Sequence, residues 1–141
     1  MKKIFFAIFF ISGLTVFAQS DKVVGDYFVD FGNEQHQIEY RLTLNLDGTF
    51  LFHSFNNNKK GNPPIVNTYG KGTWSLDEKV VSFLTDENLD LDKNQSLDFN
   101  GTKARFISKP ERDKTDRVIK TRLQFFDSKI FWVKGLEIFK K

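Results

Sequence analysis

Short apolar stretches rich in Val, Ile, Phe, Tyr and Thr recur along the chain after residue 20. They are bounded by Gly, Asn, Asp or Pro, with turn signals about every 8 to 12 residues. No stretch sustains the 3.6-residue apolar period of an amphipathic helix. The pattern predicts strands over residues 23–30, 38–45, 49–55, 67–76, 80–85, 97–100, 103–108, 118–126, 129–134 and 136–140, with a short helical turn in residues 86–92. Tight turns between consecutive strands favour antiparallel neighbours, and so many strands in one small domain lose their exposed edges most readily by closing on themselves. The expected fold is all-β: an antiparallel meander of eight to ten strands, closed or nearly closed into a barrel.

Two hairpins set registers. A two-residue turn at Asp47-Gly48 would pair Leu46 with Thr49 and put Phe50 and Phe52 on the face opposite Leu44 and Leu42. A three-residue loop, Leu46-Asp47-Gly48 with Gly48 in a G1 bulge, pairs Asn45 with Thr49 and unites Leu42, Leu44, Phe50 and Phe52, so the bulged register is expected. At Asp127-Ser128 a two-residue turn is expected to join strand 118–126 to strand 129–134. That turn places Ile119, Leu123, Phe125, Ile130 and Trp132 on one face and Lys120, Arg122 and Gln124 on the other. The polar segments 56–64 and 109–117 read as exposed loops.

The start of the chain has its own pattern: Lys2 and Lys3, an apolar run from Ile4 to Phe17, and the small-residue site Val16-Phe17-Ala18. The run is short of the roughly 20 apolar residues a spanning helix needs. It reads as a signal peptide over residues 1–18, cleaved to leave Gln19 first and a single domain over residues 19–141. The protein is therefore expected in the periplasm or secreted. With no cysteine, the chain has no disulfide, no thiolate metal site and no lipid-modified cysteine, so the mature protein is not expected to be membrane-anchored. Loss of Lys2 and Lys3 leaves 19 basic residues against 18 acidic ones. Acidic residues also interrupt the basic stretches, as in Lys109-Pro110-Glu111-Arg112-Asp113-Lys114, so nucleic acid is not an expected partner. Of 17 Phe, five (Phe5, Phe6, Phe9, Phe10 and Phe17) fall in the leader. The rest supply core, each contributing roughly 1.5–3 kcal/mol if fully buried.

Candidate chemistry is sparse. The two imidazoles belong to His36 and His53; the bulged register sets His53 opposite Arg41 and His36 opposite Asn58, about 17 Å further along at roughly 3.3 Å per residue, so they do not share a metal. The acidic run from Asp86 to Asp92 lacks the Gly and the terminal Glu of a calcium loop in either register tried. No G-x-S-x-G, S-x-x-K or H-E-x-x-H motif occurs. Asp30, Glu39 and Glu137 are available carboxylates that nothing in the sequence selects, and no catalytic residue, metal or cofactor is expected.

Gly25-Asp26-Tyr27 at the first strand, the run from Leu42 through Asp47-Gly48 to Phe50 at a hairpin, and Gly72-Thr73-Trp74 in a later strand resemble the calycin or lipocalin-like proteins exported by Gram-negative bacteria. The resemblance implies a barrel around a small apolar ligand. Tyr27 stands where that family carries Trp, with Arg122 as the candidate for the basic residue that covers it. On this reading the protein is non-enzymatic and holds a small hydrophobic molecule in the barrel interior, with Tyr40, Leu42, Phe52, Trp74, Leu123 and Trp132 as the lining. The alternative is an envelope interaction module with a filled barrel and an apolar exterior built from Leu51, Phe55, Phe126, Phe131 and Val133, fitting a protein partner or a homodimer.

Overall fold

Strand alternation sorts inside from outside in this chain. In the computed structural model, which describes residues 21–141, the strands are β1 Gly25–Gly32, β2 His36–Leu44, β3 Thr49–Asn58, β4 Ile65–Asp77, β5 Val80–Leu84, β6 Thr102–Ile107, β7 Arg122–Asp127 and β8 Glu137–Lys140. The expected signal peptide and its cleavage point before Gln19 lie outside the described residues. Each strand pairs antiparallel with the next, and β8 returns to β1, so eight strands close into a barrel. The up-and-down course puts the β1–β2, β3–β4, β5–β6 and β7–β8 connections at one end, here the upper end, and the other three at the lower end.

The β2–β3 hairpin has the bulged register. Leu42 opposes Phe52 and Leu44 opposes Phe50. The Asn45 amide donates to the Thr49 carbonyl (2.9 Å), the Gly48 amide donates to the Asn45 carbonyl (3.0 Å), and Gly48 has a φ of 88°, which a Cβ would strain. The Thr49 hydroxyl and amide both donate to the Asp47 carboxylate, and these two bonds hold its carboxyl below the ordinary range.

Two expected strands are not strands, and a third starts four residues late. Residues 97–100 form an irregular segment that crosses the upper end and carries Phe99 into the core. Its backbone is held by Leu97 N–H to the Tyr69 carbonyl (3.1 Å) and Phe99 N–H to the Thr85 hydroxyl (3.0 Å). Residues 118–121 lie outside β7, with Val118 85% exposed. Residues 129–134 form consecutive tight turns rather than a strand: Val133 N–H bonds the Ile130 carbonyl and Leu136 N–H the Val133 carbonyl, both at 3.0 Å. The strand that pairs with β7 is β8, joined through Leu123↔Ile138. Residues 86–92 contain one helical turn, closed by Asp90 N–H to the Asp86 carbonyl (2.8 Å).

The barrel axis is occupied by side chains. Tyr27, Leu42, Leu44, Phe50, Phe52, Val81, Phe83, Leu123, Phe125 and Ile138 point inward and are buried, joined by Val23 from below and Phe99 and Val133 from above. Phe50, Phe52, Phe83, Phe99 and Phe125 make ring contacts with centroids 4.9–6.1 Å apart. Glycines on β4 make room for these rings. A Cβ on Gly70 would lie 2.7 Å from the Phe99 ring, and one on Gly72 would lie 2.0 Å from the Leu84 carbonyl oxygen.

Candidate functional site: a cleft where the barrel seam opens

The barrel closes through a short seam. β1 and β8 are bridged only at Tyr27↔Lys140 and Phe28↔Phe139, although β1 runs on to Gly32. Extending that register would set Val29 against Ile138 and Asp30 against Glu137, but there β8 stays paired with β7 alone, just after the turns of residues 128–136. A cleft of about 600 Å³ occupies the gap, lined by Val29, Phe31, Tyr40, Trp132, Lys134, Gly135, Leu136, Glu137 and Phe139. This size suits a small organic molecule.

The wall is aromatic because β1 and β2 bring alternate residues to one face. Val29 opposes Tyr40, and Phe31 meets the Tyr40 ring edge-on at 6.0 Å. Trp132 stacks on Tyr40, with centroids 5.1 Å apart and planes 13° from parallel, and Phe52 lies 6.0 Å from both rings. Burial pushes the Tyr40 phenol up from its ordinary value, so its hydroxyl is a neutral donor at physiological pH. Gly135, at a φ of 91°, donates its amide to the Phe125 carbonyl (2.8 Å) and turns the chain toward Leu136 at the cleft floor.

Two charged side chains stand at the rim. Glu137 lies 3.3 Å from Arg122 Nε. That nitrogen is buried and makes no hydrogen bond, so the contact is Coulombic rather than a directed bond. Lys134 is exposed and forms no ion pair among the described residues.

Of the six residues expected to line a cavity, the structure brings two to the cleft, Tyr40 and Trp132. Leu42, Phe52 and Leu123 are at most 2% exposed and belong to the packed axis. Trp74 sits at the lower end, its indole N–H donating to the Asn45 carbonyl (2.9 Å) and its amide to Gly48 (2.8 Å). Val29, Phe31 and Leu136 were not among the six. The signal for the first two was the alternation Tyr27, Val29, Phe31, of which the expected strand 23–30 left out Phe31. Of the residues expected outside, Leu51 and Phe131 are exposed, whereas Val133 is fully buried because its segment is a turn and not a strand. Arg122 does not cover Tyr27: Leu123 points inward on β7, so Arg122 points outward, while Tyr27 points inward.

Other chemistry-bearing groups stay separate. His36 Nε2 lies 2.8 Å from Asn56 Oδ1. His53 Nε2 lies 2.7 Å from Asn67 Oδ1, with its ring stacked on Tyr69 at 4.6 Å. Asp30 opposes Glu39 on the outer surface, where Glu39 pairs with Arg41 (3.3 Å). Among the described residues no group of three or more His, Asp or Glu side chains is placed to hold a metal ion, and no helix is long and apolar enough to cross a membrane. At the lower end Lys22 and Glu111 form an exposed ion pair (2.8 Å) across a crevice of about 200 Å³ floored by Val23, Leu76 and Phe106.

No family model, curated protein or solved structure matches this chain, so its closed eight-stranded antiparallel barrel is what its own residues establish.

Proposed function

We propose that this chain is an exported, non-enzymatic, lipocalin-like barrel that binds a small hydrophobic molecule in the seam cleft. The export half of the reading, to the periplasm or beyond, rests on the basic start and apolar run of residues 1–18. The binding half rests on one observation: the Trp132–Tyr40 stack forms a flat, half-buried wall in a cleft of about 600 Å³. A partly exposed pair of aromatic rings in a concave site offers a ligand area that the filled barrel axis does not.

The two tryptophans supply a test, because Trp132 stands in the cleft and Trp74 at the opposite end. Titration with ring-bearing apolar probes should change Trp132 emission saturably at one probe per chain, and a Trp132→Phe variant should lose most of that change. Val29→Asp, which sets a carboxylate in the cleft wall, should weaken binding at least tenfold while near-ultraviolet circular dichroism keeps its folded form. Unaltered binding by Val29→Asp would place the site elsewhere.

The alternative, an interaction module, draws support from Phe131, 87% exposed beside Trp132, and Phe31, 49% exposed on the same rim. Absence of saturable binding by any probe would favour this rim as a protein-docking surface.

A further inference from the structure

We propose that the seam cleft selects anionic ligands: molecules with a flat apolar ring system that stacks on Trp132 and an acidic group, carboxylate, sulfonate or phosphate, that meets Lys134. The inference rests on the cleft being the binding site and names the ligand class for it.

The charge balance of the rim carries it. Of its two charged residues, Glu137 faces the Arg122 guanidinium at 3.3 Å, which offsets its field. Lys134 forms no ion pair among the described residues. Asp30 and Glu39 are not among the residues that line the cleft, and Glu39 is paired with Arg41. Among the residues that line the cleft the uncompensated charge is therefore positive. Lys134 is also well placed. The turns closed by Val133 N–H to the Ile130 carbonyl and Leu136 N–H to the Val133 carbonyl, and the hydrogen bond from Gly135 N–H to the Phe125 carbonyl, fix the backbone on both sides of it. Lys134 thus lines the cleft from a fixed backbone position, two residues from Trp132, and gives the ring-binding surface a cationic rim.

Two dyes with the same ring framework test the point, 1-anilinonaphthalene-8-sulfonate and N-phenyl-1-naphthylamine, which differ by the sulfonate. Calorimetric titration of the folded protein should show that Lys134→Gln weakens the sulfonate about fivefold, the size of one partly screened ion pair. The neutral dye should stay within twofold, and Lys134→Arg should restore the sulfonate. Raising salt should erase the difference for the wild-type protein and leave Lys134→Gln unaffected. Equal weakening of both dyes by Lys134→Gln, or no weakening of either, would overturn the assignment of Lys134 and leave the cleft as a neutral apolar site. Failure of both dyes to bind the wild-type protein would overturn the binding reading itself and this inference with it.

Discussion

Tyr27 links a single buried hydroxyl to the pH range in which the barrel holds. Its ring is 1% exposed and its hydroxyl donates to the Val23 carbonyl at 2.6 Å, tying the segment below the barrel to β1. Burial pushes the phenol well above its ordinary value of 10.0. The folded state therefore binds the phenolic proton more tightly than the unfolded chain. That contribution is fully present below about pH 10 and is lost as pH rises further. Urea titrations at pH 7, 9 and 11 should show stability falling at the highest value. Tyr27→Phe should reduce the fall, with Tyr40 supplying a remainder in the same direction. At neutral pH the substitution should cost about 1 kcal/mol, since the Val23 carbonyl loses its donor. The sequence placed Tyr27 correctly inside the first strand. Its supposed cover, Arg122, fell on the wrong face, because residue-by-residue resemblance carries no information about which way a distant strand points.

Among the connecting elements, residues 128–136 decide the shape of the site. Ser128 bonds through its hydroxyl to Ile130 N–H (3.1 Å) and to the Thr102 hydroxyl (2.9 Å), and Thr102 is fully buried. Ser128→Ala should leave that hydroxyl unpaired and loosen the first turn, at a cost of about 1–2 kcal/mol by chemical denaturation. Probe affinity should fall with it, because Trp132 follows directly. This segment also marks the limit of what the sequence showed. The β2–β3 hairpin was legible because its bulge and its hydrophobic pairing agree, and a one-residue slip would turn Phe50 and Phe52 outward. Around Ile130 to Val133 a short apolar run fits a strand or a buried turn equally well. Gly135 was the better signal, as a breaker between Trp132 and Leu136. Phe99 misled in the same way, since an aromatic residue among polar neighbours resembles a short strand when it is in fact a plug.

At the scale of the molecule, the weakest joint is the one that makes the barrel a barrel. β8 has four residues and meets β1 at two register pairs and β7 at three. Ile138, fully buried, is its contribution to the core. Removal of residues 137–141 should expose the β1 and β7 edges and uncover the core, giving loss of near-ultraviolet dichroism and binding of hydrophobic dye without saturation. The closed meander was legible from strand rhythm. The seam cleft was not, because it depends on where β1 and β8 part company, and that is set by the turns and not by the strands.

The short seam has a consequence for folding. β8 is the eighth strand in chain order and the one that closes the wall, so β1 and β7 each keep an unpaired edge until it docks. Closing the wall joins Tyr27 to Lys140 and Phe28 to Phe139, pairings between the two ends of the barrel's chain, so closure is the long-range step of folding and carries the largest loop-closure cost.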